Sequence, residues 1–157
     1  KVFYLQGGLQ LLIALPVFYA GSSTQHPSVL DALGGLIALA GVAIEAIADA
    51  QLTQFKRESD SQGKVMRRGL WGWSRHPNYF GNAVLWLGIG LMALSGGAPL
   101  WSLFGPVVMW FLLLRVSGVS MLERTIVDRR PDYKRYINEV SAFVPWPPRT
   151  SSSSAPE

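Results

Sequence analysis

Cysteine is absent from the 157 residues, which excludes disulfides, thiolate metal sites and a cysteine nucleophile. Histidine is almost as scarce: only His26 and His76 are present, far apart in the chain, and no metal site is expected from them. Charge is low as well, at 15% of residues, against about 25% for an ordinary soluble domain. Neither a GxGxxG fingerprint nor a P-loop occurs, and no internal repeat is visible. No basic stretch and cleavage pattern frame the first apolar run, so a signal peptide is not expected. The chain opens without Met and is expected to lack N-terminal helices.

What the chain has is apolar surface. Hydrophobic residues make up 49%, six are Trp, and the mean hydropathy is +0.23. Four runs, at residues 2–20, 29–48, 79–94 and 99–121, match or approach the roughly 20 apolar residues that cross a bilayer. The expected fold is all-α: a polytopic membrane helical bundle of about four transmembrane helices with one short interfacial amphipathic helix. It forms one domain over residues 1–149, followed by a Ser-rich tail at 150–157 expected to be disordered.

The net charge of +4 is explained by topology. Thirteen of the 14 Lys and Arg lie from Lys56 onward, and the connections at 21–28 and 95–98 carry none. Cytoplasmic loops carry the excess of positive charge, so the basic loops and both termini are expected in the cytoplasm of a multi-pass protein. The bilayer is the expected partner and nucleic acid is not.

Several polar groups exceed what spanning a membrane requires. Glu45 and Asp49 are one turn apart on the second run, share a helix face and repel each other. They need a partner such as a hydroxyl-rich ligand, an Arg or a neighbouring helix, although Asp49 alone could snorkel to water. Pro77 suits a first helical turn and places Asn78, Asn82 and Trp86 on one face. Arg75 and His76 flank that helix start, where free N–H groups favour an anion. The alternative is a headgroup-binding loop with Trp71 and Trp73 as an aromatic belt. At the end of the fourth run, Arg115, Ser120, Glu123 and Arg124 suggest a helix lining a water-accessible cavity, or else an internal ion pair of Glu123. After Pro131, Tyr133, Tyr136, Ile137 and Val140 share a face opposite Lys134, Arg135 and Asn138, the pattern of an interfacial helix. Pro145-Trp146-Pro147-Pro148 ends regular structure.

Arg75-His76-Pro77-Asn78-Tyr79-Phe80-Gly81, the upstream Ala48-Asp49-Ala50-Gln51-Leu52, the link through Gly63-Lys64 and Arg68-Gly69-Leu70-Trp71, and the closing Glu123, Tyr133, Tyr136 and Phe143-Val144-Pro145-Trp146-Pro147 together resemble the steroid 5-alpha-reductase superfamily, in its bacterial-type membrane branch. The likeness runs over about residues 41–148, in the family's order. It implies the C-terminal, catalytic half of a membrane reductase that uses NADPH to reduce an activated C=C bond of a hydrophobic, steroid- or lipid-like substrate. By the same resemblance Asp49 matches the acid that binds the nucleotide portion, with Glu45 beside it. Lys56 and Arg67 match loop cations facing the phosphates, and Asn78 the group at the nicotinamide end. Tyr79, Glu123, Tyr133 and Tyr136 complete the matching set, and Tyr79, Asn82 and Glu123 are the candidate catalytic residues. One position departs: Asn82 stands where the family pattern has Glu, and an amide cannot donate a proton as an acid.

Isoprenylcysteine carboxyl methyltransferases look like relatives of that superfamily, which keeps an S-adenosylmethionine-dependent methyltransferase open as an alternative, with Arg75 and Glu123 near the acceptor. A non-catalytic lipid-binding scaffold is a third reading, and it predicts that Asp49, Asn78 and Tyr79 can be changed without consequence for cofactor binding.

Overall fold

The computed structural model describes residues 2–22, 26–112, 126–127 and 132–149. Five α-helices lie among them: α1 (Val2–Ser22), α2 (Val29–Arg57), α3 (Pro77–Ser95), α4 (Phe104–Leu112) and α5 (Asp132–Glu139). Short 3₁₀ turns occupy Ser59–Ser61, Gly69–Gly72 and Leu100–Leu103. No strand is present among the described residues beyond one isolated bridge between Ser74 and Ser141.

The helix α2 begins in a capping box. Ser28 Oγ accepts from Leu30 N at 3.1 Å and Asp31 N at 3.3 Å, and Asp31 Oδ2 accepts from Ser28 N at 2.7 Å, satisfying donors that a helix start leaves unpaired. Ser95 Oγ adds a bond to the same Asp31 oxygen at 2.9 Å, tying the start of α2 to the end of α3. Twenty-nine residues without proline follow, ending on Lys56 and Arg57, which complement the helix dipole. Among the described residues α2 is the one helix long and apolar enough to cross a membrane; shorter apolar helical stretches cover Gly7–Ser22 and Leu100–Phe111. The second run therefore extends well past residue 48, while the described part of the fourth ends at Leu112 and its remainder lies outside the described residues.

Small residues decide how α2 and α3 pack. Gly34, Ala38, Gly41 and Ala48 form the buried stripe of α2, facing Gly81 and Gly88 of α3. A methyl group on Gly81 would come within 2.6 Å of Glu45 N and 2.8 Å of Gly41 O. The two backbones thus touch, and no side chain fits between them. The larger side chains of α2 point outward instead: Leu33, Leu36, Leu39, Val42 and Ile47 are exposed, an apolar exterior that water does not favour. Gly105 of α4 makes a similar close approach to the α1 backbone at Leu12 and Ile13.

Two apolar clusters lie at the basic end of α2. Ala48, Met66 and Trp71 form one, with Leu52, Phe55 and Leu70 against it. Tyr133, Tyr136 and Val140 form the other, with Val65, Ile126, Val127 and Ile137. The second corrects the reading of residues 133–140 as an interfacial helix: the apolar face of α5 is buried against its own chain. Trp71 is likewise no belt residue, since it is buried and its indole donates to Ala48 O at 2.9 Å.

Candidate functional site

The loop between α2 and α3 folds back onto α2. Leu70 N donates to Gln51 Oε1 at 3.0 Å, and Gly69, at φ +58°, sits against the Gln51 side chain where a β-carbon would collide. Trp71 then plugs the gap beside Ala48. This fold-back places Ser74, Arg75 and His76, all buried, at the mouth of α3.

Arg75 is committed to the chain's own backbone. Its Nη1 donates to Ile137 O at 2.8 Å and Val140 O at 2.7 Å, capping the carbonyls that end α5. Tyr136, only 2% exposed, donates its hydroxyl to Trp71 O at 2.6 Å. Arg67 lies over the Tyr136 ring at 5.4 Å and bonds Glu139, which also accepts from Arg135 Nε at 2.7 Å. Arg135 first, then Arg67, hold the Glu139 carboxyl below its ordinary value of 4.5, against the opposing effect of burial. Through these contacts α5 is pinned over the ends of α2 and α3.

Between α5 and those helix ends lies a cavity of about 570 Å³. Lys56, Arg75, His76, Asn78, Tyr79, Tyr133 and Tyr136, all candidates from the sequence, line it together with Leu52, Phe55, Met66 and Trp71. The rings of His76 and Tyr79 stack at 5.4 Å and 9°. Two smaller clefts, about 240 Å³ and 180 Å³, lie between the end of α5 and the segment that follows it and beside Gln51.

The two acids of α2 meet the two amides of α3. Asn78 Nδ2 donates to Asp49 Oδ1 at 3.0 Å, and Asn82 Nδ2 donates to Glu45 Oε2 at 3.3 Å. The partner demanded by the Glu45/Asp49 spacing is thus the neighbouring helix. An ionised Glu at position 82 could not donate to Glu45, which gives Asn82 a physical reason to be there. Glu45, Asp49, Arg67 and Asn82 stand outside the cavity lining, Asp49 being joined to it through Asn78, and Glu123 lies outside the described residues, as do Arg115, Ser120 and Arg124.

Sequence reasoning missed Ser61, Gln62, Val65 and Met66 in the cavity wall. The loop that carries them, mostly polar with scattered apolar residues, has no helical or strand period that would have singled them out.

A fission yeast (Schizosaccharomyces pombe) protein described as "Uncharacterized protein C594.04c" is 30% identical over 97 residues, covering 59% of this chain and 27% of the relative. The chain thus spans about a quarter of the length of that relative. No solved structure matches it. The family described as "Protein of unknown function (DUF1295)" matches residues 1–140, nearly the whole of the described fold, and the chain belongs to that family.

Proposed function

We propose that the chain is the cofactor-binding part of a multi-pass membrane reductase that uses NADPH to reduce an activated C=C bond of a hydrophobic, steroid- or lipid-like substrate. The observation that carries the reading is the 570 Å³ cavity in which Lys56, His76, Asn78, Tyr79, Tyr133 and Tyr136 converge at the basic end of an apolar helix pair. Cofactor sites have volumes of roughly 300–1,000 Å³, mostly apolar walls and a few placed polar groups. The resemblance of these same residues to the steroid 5-alpha-reductase superfamily supports the reading, as do the charge distribution and the apolar exterior of α2. In this reading the basic loops and both ends of the chain face the cytoplasm.

The donor set suits such a cofactor. Lys56, on the last turn of α2, has no ion-pair partner among the described residues and would hold a phosphate. Asp49 uses Oδ1 on Asn78, leaving Oδ2 to accept from a ribose hydroxyl. The stacked pair of His76 and Tyr79 offers an aromatic face to a planar ring. NADPH, when bound, supplies a hydride to one carbon of the double bond, and the other carbon takes a proton. Tyr79 carries the one phenolic hydroxyl among the cavity residues on the first turn of α3 and is the residue placed to hold that proton. Asn82 cannot, because an amide does not act as an acid, and its Nδ2 donates to Glu45.

One observation favours the methyltransferase reading instead: Arg67 and Arg75 are engaged by Glu139 and by the α5 carbonyls, and a sulfonium cofactor needs fewer phosphate-binding cations. Calorimetric titration of the detergent-solubilised protein with NADPH and with S-adenosylmethionine separates the two. Salt-sensitive binding of NADPH alone supports the reductase; binding of S-adenosylmethionine alone replaces it with the methyltransferase. Binding of neither sinks both in favour of a lipid-binding scaffold.

A further inference from the structure

Beyond α5 the chain does not trail away. Residues 141–146 run beside the segment that enters α3. Arg75 N donates to Ser141 O at 2.8 Å, Ser74 Oγ to Phe143 O at 2.7 Å, and Trp146 N to Trp73 O at 3.0 Å. The Phe143 ring meets Phe80, on the first turn of α3, edge-on at 5.8 Å. This flap is therefore fastened to the start of an apolar helix.

Its exposure is inverted. Ser74, Arg75 and His76 are buried, whereas Trp73, Val144 and Trp146 are 50%, 55% and 67% exposed. A loop bathed in water would not fix its polar groups inside and hold three large apolar side chains out. Leaving each outside costs on the order of 25 cal/mol per Å² of apolar surface. Indole rings, with an apolar body and one N–H, concentrate where a bilayer meets water. Arg149 adds an exposed cation next to Trp146, its own N–H held by Glu139 O at 2.8 Å.

We propose that Trp73, Val144, Trp146 and Arg149 form a membrane-interface anchor whose partner is the phospholipid headgroup layer, with the indoles at the depth of the carbonyls and Arg149 on lipid phosphate. The proposal rests on the reading that the helices of this chain lie in a bilayer. Because the flap continues from α5, it holds Tyr133 and Tyr136, and with them one wall of the cavity, at a fixed height above the membrane. The interfacial element that the sequence suggested for residues 133–140 is thereby assigned to the segment that follows them.

The chain has no cysteine of its own, so Val144→Cys carries a unique nitroxide label. In vesicles of phosphatidylcholine and phosphatidylglycerol, collision with lipid-soluble oxygen is compared with collision with a water-soluble nickel chelate. Leu36→Cys, on the outward face of α2, is the lipid reference, and Lys134→Cys, at an exposed position of α5, the aqueous one. The expected result is a label at 144 that favours oxygen over nickel in vesicles, between the two references. A label at 144 as nickel-accessible as that at 134, with 36 still in lipid, overturns the anchor alone. Nickel access at 36 as well overturns the membrane reading and the anchor with it. Dipolar broadening between labels at 144 assigns the surface to a second copy and likewise overturns the anchor.

Discussion

Asn78 donates its side-chain amide to Asp49 Oδ1 at 3.0 Å across the contact between α3 and α2. One turn deeper on both helices Asn82 repeats the contact with Glu45 at 3.3 Å, so two amides answer two carboxylates in register. Asn78 of the outer pair lines the cavity, with Asp49 behind it, and neither member of the inner pair does. Their sequence spacing of four on each helix is what lets an antiparallel pair match twice.

If the outer pair binds the cofactor, Asp49→Ala and Asn78→Ala each remove hydrogen bonds to a charged or polar ligand worth about 1.5–3 kcal/mol. NADPH affinity should fall by about tenfold or more, while insertion into the membrane is unchanged. Calorimetry on each variant checks it, and unchanged affinity in both rejects the assignment of these residues to the cofactor.

Arg75 is predicted to matter through α5. Arg75→Ala leaves the Ile137 and Val140 carbonyls without their shared donor in a buried place, a loss of about 1.5–3 kcal/mol for a charged donor. Tyr133 and Tyr136 should then lose their fixed positions, and proteolysis within residues 132–149 should accelerate. Arg75→Lys, with one ammonium in place of a fork, is expected to restore only part of the protection. Proteolysis at the parent rate in Arg75→Ala would mean the cap is dispensable.

The glycine contact sets the spacing of the two acid and amide pairs. Gly81→Ala places a methyl group within 2.6 Å of Glu45 N, a backbone atom that cannot swing aside. Overpacking of this kind costs about 1–3 kcal/mol and should part Asn78 and Asn82 from their carboxylates. Gly35→Ala is the control: its methyl would meet nothing nearer than Met92 Sδ at 4.0 Å. Thermal unfolding in detergent should show a loss for the first and near-parent stability for the second.

How much of this was legible beforehand depends on whether a residue's role is local or tertiary. The helix α3 announces itself through Pro77, and the acids of α2 announce a polar face through their spacing. The resemblance gathered Lys56, Asn78, Tyr79, Tyr133 and Tyr136, which the fold brings to one cavity. Trp71 and Arg75 were not readable in the same way. A tryptophan or arginine in a Gly-rich loop carries no mark of whether it faces lipid, ligand or its own backbone. Only the fold-back onto Gln51 and Ala48 decides it. The amphipathic period of residues 133–140 was real, but a period says that one face is buried and not against what.

Acid should loosen α5. Glu139 is held below its ordinary value chiefly by its bond to Arg135 and then by Arg67. A carboxyl whose pKa is lower in the folded state than in the unfolded one contributes stability that is fully present above the unfolded value and disappears as pH falls through the folded one. The window therefore lies below about pH 4.5, the unfolded range of a glutamate. Both arginines are substantially exposed, so salt should weaken the same contact. The expected result is that cleavage of the 132–149 segment by an acid-active protease rises as pH drops from about 5 to 3, and that Glu139→Gln is already loosened at neutral pH with a flatter pH profile. A Gln variant with the parent's acid response would place the titrating group elsewhere.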